Sequence, residues 1–207
     1  METLKELVKR GDTDGTVERV RELLQKDSDV GTILNTALIP AMDEVGELFQ
    51  KREYFIPEML IAARAMKGAM EVLKPLLTES GVKSRGNVVL GTAKGDLHDI
   101  GKNLVAMTFE GAGFEVIDLG VDVPSAKFVE AVKEHDAIAI GISALLTTTM
   151  QEARKTIEEI GKEGLRDRVK ILIGGAAVNQ AFADEIGADF FGPDPASGKD
   201  YLRSQVG

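Results

Sequence analysis

The chain has 207 residues, a length that accommodates two small domains. Hydrophobic residues make up 43% of it and charged residues 29%, a composition that excludes a largely disordered chain. The net charge of -9 disfavours nucleic acid and anionic membranes as partners, and the absence of cysteine excludes disulfides and thiolate metal sites. The sequence shows no signal peptide and no apolar stretch long enough to span a bilayer, so we expect a cytoplasmic protein.

Apolar residues recur at helical spacing throughout the first part of the chain. Four amphipathic helices are predicted there, with apolar stripes at residues 4–8, 17–24, 33–49 and 59–77. Pro57 lies in the first turn of the last helix, where proline is tolerated, whereas Pro40 inside the third predicts a local kink. We therefore expect a four-helix bundle as a first domain at residues 1–78.

The following segment, residues 79–86, is polar, rich in small residues and without apolar periodicity, which predicts a linker. The second domain is predicted at residues 87–207, where short runs rich in Val and Ile alternate with helix-length segments. This alternation predicts a doubly wound α/β fold of the flavodoxin-like Rossmann type. Its five parallel strands are expected at residues 88–90, 114–119, 137–142, 169–173 and 188–191.

The loop after the first predicted strand contains Asp96 and His98. The aspartate can accept a hydrogen bond from one imidazole nitrogen while the other nitrogen faces a ligand, as in many metal sites. Alternatively, His98 is a loop histidine that caps the following helix, which is predicted to begin near Leu104, and Asp96 is a turn residue. Three glycines in this loop also suggest phosphate binding, but their spacing matches neither the Walker pattern nor Gly-x-Gly-x-x-Gly.

Two more loops are predicted at the same edge of the sheet, because the carboxyl ends of parallel strands meet there. Residues 141–149 contain four hydroxyl side chains, which either bond a polar ligand or cap the helix that follows. Gly174 and Gly175 follow the fourth strand, where paired glycines allow close approach of a ligand or a tight turn. These observations leave both alternatives open for each loop.

Taken together, the three loops resemble the cobalamin-binding module that methionine synthase shares with the corrinoid proteins of methanol, methylamine and methoxyaromatic methyltransferase systems. The signature of that family is Asp-x-His-x-x-Gly, then Ser-x-Leu, then Gly-Gly. The matching residues here are Asp96, His98, Gly101, Ser143, Leu145, Gly174 and Gly175. Residues 42–49 and 54–60 also resemble the helical cap of the family, so the resemblance covers nearly the whole chain.

The resemblance implies that His98 ligates cobalt from below, that Asp96 holds and polarises it, and that proton movement through Asp96 and Thr149 accompanies ligation. It also implies that Ser143 and Thr147 bond the displaced nucleotide tail of the cofactor. The residues expected to contact the cofactor are Gly95, Asp96, Leu97, His98, Asp99, Ile100, Gly101, Ser143, Leu145, Thr147, Thr149, Gly174, Gly175, Ala176, Phe191 and Gly192, with Phe55, Met59, Leu60 and Met66 as candidates to cover the upper corrin face.

The function implied by the resemblance is that of a corrinoid methyl carrier. Its cob(I)alamin would accept a methyl group from a substrate-specific methyltransferase, and the methylcobalamin would pass it to a second methyltransferase with tetrahydrofolate or a thiol as acceptor. A reductive activase is the third implied partner, and no independent turnover is expected. The alternatives are a cobalamin-dependent sensor, which usually carries a DNA-binding module, and a mutase subunit. The methyl donor cannot be identified from the sequence.

Overall fold

A computed structural model describes residues 1–80 and 84–206 of the chain. The chain divides into two compact units, Met1–Ser84 with Met107–Gly113 and Arg85–Ala106 with Phe114–Gly207. Residues 81–83 of the predicted linker lie outside the described residues. Within the described part, no helix is both long and apolar enough to cross a membrane.

The N-terminal unit is helical, as predicted. Its helices are α1 (Glu2–Lys9), α2 (Thr13–Gln25), α3 (Val30–Ile33), α4 (Ile39–Gln50) and α5 (Ile56–Ser80). A π-helical turn, Leu34–Leu38, joins α3 directly to α4, so these elements together form the third predicted helix. The turn immediately precedes the segment that contains Pro40, where the sequence predicted an irregularity, because proline has no N–H to donate to the preceding turn.

Side-chain caps and an apolar core account for these helices. The Asp12 carboxylate accepts a hydrogen bond from the Gly15 N–H at 2.9 Å, and Asp29 accepts one from Thr32 at 2.7 Å, so both aspartates cap helix N-termini. The predicted apolar stripes are buried, and their fully buried members include Leu4, Val8, Val20, Ile33, Leu38, Met59, Met66 and Leu73.

The second unit contains the five predicted parallel strands. They are β1 (Asn87–Thr92), β2 (Glu115–Asp118), β3 (Ala139–Ser143), β4 (Lys170–Gly174) and β5 (Phe190–Phe191), in the spatial order β2-β1-β3-β4-β5. The helices of this part of the chain are α6 (Ile100–Gly111), α7 (Ser125–Glu134), α8 (Thr147–Lys162), α9 (Gln180–Ile186) and α10 (Pro195–Gln205). The residues of α6 from Met107 onward belong to the first unit. This strand order is the flavodoxin-like one, so the predicted fold class is confirmed.

The register of the strands brings the three predicted loops together. Thr92 at the end of β1 pairs with Ser143 at the end of β3, and Ser143 pairs with Gly174 at the end of β4. The chain leaves β1 toward β2 on one side and reaches β3 on the other, which makes the β1/β3 edge the topological switch point. Ligands of such sheets bind at this edge, beyond the carboxyl ends of the strands.

Helix α6 begins at Ile100, four residues before the predicted start near Leu104, so that prediction was wrong. The Asp99 carbonyl already accepts a helical hydrogen bond from the Asn103 N–H at 2.8 Å. Ile100 and Gly101 are exposed, and a first turn with exposed residues lacks the apolar periodicity on which the prediction depended.

Candidate functional site

Asp96 and His98 make the contact that their spacing predicted. Asp96 Oδ1 lies 2.7 Å from His98 Nδ1 and also accepts a hydrogen bond from the His98 backbone N–H at 3.1 Å. The His98 side chain is 54% exposed, and its Nε2 has no hydrogen-bond partner among the described residues. The ring is therefore held through one nitrogen and open to a ligand through the other.

The second oxygen of Asp96 is held equally well. The Leu145 N–H donates to Oδ2 at 2.7 Å, and the Thr149 hydroxyl lies 2.9 Å from the same oxygen. Asp96 is fully buried, which by itself raises its pKa, but the hydrogen bonds from Leu145, His98 and Thr149 outweigh burial and lower the pKa to about 2. The carboxylate is therefore ionised at neutral pH.

Thr149 follows the capping alternative left open for the hydroxyl-rich loop and also contacts Asp96. It lies in the first turn of α8, where its Oγ1 accepts a hydrogen bond from the Leu146 N–H at 3.3 Å and thereby caps the helix. The same oxygen is 2.9 Å from both Asp96 Oδ2 and the Leu146 carbonyl, and its one proton serves one of them at a time. The half-buried Ser143 and exposed Thr147 have no side-chain hydrogen bond within the described residues, so both are available to a ligand.

An exposed apolar surface surrounds His98. Leu97 and Ile100 are each 73% exposed, although leucine and isoleucine are among the residue types most often buried. A Cβ added to Gly101 would meet no atom within 4 Å, so the chain is open at this position as well. Exposed apolar groups beside one unpartnered polar atom are typical of a surface that a large ligand covers.

The paired glycines pack against neighbouring backbone. Gly175 has a φ of +123°, and a Cβ added to it would lie 2.1 Å from the Ala144 carbonyl oxygen. A Cβ on Gly174 would lie 3.0 Å from the Gly192 carbonyl oxygen. Close approach of the loops after β3 and β4 thus requires glycine at position 175, and the contact of Gly174 with the loop after β5 is tight, whereas contact of either glycine with a ligand stays a prediction.

The four cap residues differ in their surroundings. Phe55 is 60% exposed and Leu60 is half-buried, but Met59 and Met66 are each only 1% exposed. The two methionines therefore serve the apolar interior, the alternative that their helical spacing left open. Contact of any of the four with a cofactor stays a prediction.

Sequence reasoning missed two polar contacts at the same edge of the sheet. Lys102 in α6 is buried, and its Nζ lies 2.7 Å from Asp118 Oδ1 at the end of β2. The Asp122 carboxylate, from a residue with a φ of +54°, accepts a hydrogen bond from the Gly95 N–H at 2.7 Å. These polar residues are visible in the sequence, but sequence spacing does not predict a contact between residues that are 16 or 27 positions apart.

A flavodoxin-like sheet with an aspartate-held histidine at its switch point, together with a separate helical unit, is the architecture of a B12-binding protein. Two family models agree. Residues 86–197 match one described as a B12 binding domain, and residues 1–74 match a second model with the same description. The chain belongs to the B12-binding family, and its cofactor is a corrinoid.

Individual relatives support this assignment. The chain is 46% identical over 171 residues to the dimethylamine corrinoid protein 1 of Methanosarcina acetivorans, covering 82% of this chain and 80% of that protein. A crystal structure of a cobalamin-binding protein from Desulfitobacterium hafniense shares 35% identity and a TM-score of 0.83, with 100% and 98% of the two chains covered. The methanol:cobalamin methyltransferase complex MtaBC of Methanosarcina barkeri gives 29% identity and a TM-score of 0.87, with 98% of this chain and 78% of that chain covered.

The residues at the β1/β3 edge fit such a cofactor. Imidazole is a common ligand of first-row transition metals, and Nε2 of His98 has no partner in the part of the chain that the structure describes. Leu97 and Ile100 offer apolar surface to a macrocycle, and Ser143 and Thr147 offer hydroxyls to a polar tail.

Proposed function

We propose that this chain carries methyl groups on a corrinoid ligated by His98, taking them from one methyltransferase and delivering them to another. The observation that carries the proposal is the Nε2 atom of His98, which is unpartnered within the described residues while Nδ1 is fixed by the buried Asp96. Relatives named as corrinoid proteins, one solved in a methyltransferase complex, support the same function. The relatives described above are named as corrinoid, cobalamin-binding or cobalamin methyltransferase proteins and give no support to the sensor alternative.

When bound, the corrinoid supplies the metal-centred chemistry of methyl transfer. The chain determines which tautomer of His98 meets the metal. Because the Asp96 carboxylate is ionised, Nδ1 must carry the proton that it shares with Oδ1, and Nε2 then keeps a free lone pair for cobalt. Leu145 and Thr149 hold the carboxylate and thereby support this role of Asp96 indirectly.

The remaining site residues shape the cofactor surface in this proposal. Leu97 and Ile100 would offer apolar contact to the corrin, and Gly95, Asp99, Gly101 and Leu145 complete the loops around His98. Ser143 and Thr147 would donate hydrogen bonds to the nucleotide tail. The residues that would line the path of the tail are Gly174, Gly175, Ala176, Phe191 and Gly192. Phe55 and Leu60 are proposed to shield the upper face, and the buried Met59 would support them from the apolar interior.

The partners follow from this carrier role. A substrate-specific methyltransferase is the donor enzyme, and a corrinoid:tetrahydrofolate or thiol methyltransferase and a reductive activase are proposed in addition. The donor to test first is dimethylamine, because the relative at 46% identity is named for it, followed by monomethylamine and methanol. The cytoplasmic location expected from the sequence stays a prediction.

The test is to reconstitute the protein with methylcobalamin and record its visible spectrum beside those of His98→Ala and His135→Ala. The second variant is the matched control, because His135 is the other histidine of the chain and ends α7. We expect one corrinoid per chain, with a histidine-ligated spectrum that His98→Ala loses and His135→Ala keeps. Identical spectra for the wild type and His98→Ala would refute ligation by His98. Methyl transfer from candidate donors with their methyltransferases then identifies the substrate.

A further inference from the structure

Thr92 is a fully buried polar residue that belongs to none of the motifs above. It is the last residue of β1, with 0% exposure, and its Oγ1 donates a hydrogen bond to the His98 carbonyl at 2.9 Å. Burial of a hydroxyl is unfavourable unless it forms a hydrogen bond. The partner of the Thr92 hydroxyl is the backbone carbonyl of the candidate metal ligand, six residues further along the chain.

The backbone of Thr92 is fixed by its neighbours. Its N–H donates to the Gly120 carbonyl at 3.0 Å, and its own carbonyl accepts a hydrogen bond from the Val123 N–H at 2.9 Å. It also pairs with Ser143 in the parallel ladder between β1 and β3. The Thr92 hydroxyl therefore has a fixed position relative to the central sheet, and it holds the His98 carbonyl at that position.

His98 is thus held at three points. Asp96 accepts from its backbone N–H at 3.1 Å and contacts its Nδ1 at 2.7 Å, while Thr92 donates to its carbonyl. Asp96 restrains the ring and the preceding peptide group, and the Thr92 contact restrains the peptide group that follows. Both peptide groups together set the direction of the Cα–Cβ bond and hence the position of Nε2. A functional group must be held within about 0.5 Å of its productive place to act.

We propose that Thr92 is a positioning residue for the cobalt ligand, acting through the His98 carbonyl. The inference rests on the proposed ligation by His98. Without the Thr92 hydroxyl, the peptide after His98 samples more orientations, and less of the population places Nε2 where it can ligate. Loss of one net hydrogen bond corresponds to a roughly five-fold weaker equilibrium.

The test compares Thr92→Val, which keeps the shape and removes the hydroxyl, with Thr92→Ser, which keeps the hydroxyl. Thr156→Val is the matched control, because Thr156 is a buried threonine of α8 whose hydroxyl also bonds a carbonyl, that of Glu152 at 3.0 Å. Each protein is loaded with cobalamin at one neutral pH. The readouts are nitrogen hyperfine splitting in the spin resonance of the cobalt(II) state, the Co(II)/Co(I) midpoint potential, and urea unfolding of the apoprotein.

Thr92→Val is expected to weaken His98 coordination about five-fold, which lowers the nitrogen-split fraction or raises the midpoint potential by up to about 40 mV. Thr92→Ser should behave as the wild type in both signals, and Thr156→Val should lose stability without changing either. If Thr92→Val fails to fold, Thr92→Ala gives the same comparison. Wild-type coordination and potential in a folded variant without the hydroxyl would overturn the positioning role. A wild type that matches His98→Ala would instead overturn the proposed function, and the inference with it.

Discussion

Replacing Asp96 with asparagine tests the electrostatic centre of the site. The carboxylate accepts from two groups at each oxygen: His98 N–H and Nδ1 on one side, Leu145 N–H and the Thr149 hydroxyl on the other. The amide has one accepting oxygen and one donating NH₂ group. Whichever way it is placed, the NH₂ group faces a backbone N–H and leaves that donor without an acceptor.

The size of the effect follows from the pKa. A pKa lowered from 3.8 to about 2 corresponds to roughly 2 kcal/mol of stability from ionised Asp96. Because the folded-state pKa is the lower one, this stability is complete above the unfolded value and is lost as pH falls through about 2. The unpaired donor adds about 1 kcal/mol. Asp96→Asn should therefore lower the unfolding free energy by roughly 3 kcal/mol at pH 7, and about half of the electrostatic part should be gone by about pH 3.

The assay is urea unfolding of the apoprotein at pH 7, 5 and 3, followed by circular dichroism. Asp99→Asn is the control, since Asp99 is exposed in the same loop and its carboxylate reaches only the Asn103 side chain among the described residues, at 3.2 Å. It should change stability by less than about 0.5 kcal/mol. A difference between wild type and Asp96→Asn that stays constant from pH 7 to pH 3 would refute the assignment of the lowered pKa.

Two further variants test the packing around the site, both by urea unfolding. Gly175→Ala should lower the unfolding free energy by more than about 2 kcal/mol, because the φ of +123° is strained for alanine and the new Cβ would overlap the Ala144 carbonyl. A decrease of less than about 0.5 kcal/mol would contradict the close approach of these loops. Asp118→Ala should lower the unfolding free energy by about 3 kcal/mol, because buried Lys102 loses its carboxylate partner and keeps the hydrogen bond to Asn103 Oδ1 at 2.7 Å. Adding Lys102→Met should recover part of that loss, and a double variant no more stable than the single one would show that the buried charge is not the cause.

The fold was largely predictable because buried parallel strands require apolar runs, and those runs stand in the sequence at all five strands. The features that could not be predicted depend on hydrogen bonds and not on the spacing of apolar residues. The start of α6 depends on the carbonyl of Asp99, and the π-helical turn before Pro40 depends on how the helix accommodates a missing donor. Pro75 lies inside α5 without ending it, although proline usually marks a helix boundary.

The candidate site was predictable where its contacts are local. A spacing of two residues is enough to join Asp96 to His98, whereas Thr149 lies 53 residues from Asp96 and was indicated only by the family resemblance. The contacts of Thr92 and Lys102 depend on loop geometry and strand order, which put residues six and sixteen positions apart side by side at the carboxyl ends of β1 and β2. A single sequence contains no direct signal for these contacts.

The structural and functional interpretations of these loops turn out to describe the same atoms. Thr149 caps α8 through Leu146 and contacts the Asp96 carboxylate with the same hydroxyl oxygen. Asp99 accepts the first helical hydrogen bond of α6 immediately after His98. The amino ends of two helices therefore converge on the loop that presents the histidine. A substitution that removes the Thr149 hydroxyl is expected to alter both stability and the placement of the ring, because that hydroxyl contacts both Leu146 and Asp96. Replacing a buried threonine remote from the loop, as in Thr156→Val, separates the loss of stability from the displacement of the ring. Such a substitution lowers the stability of the fold and leaves the position of His98 unchanged.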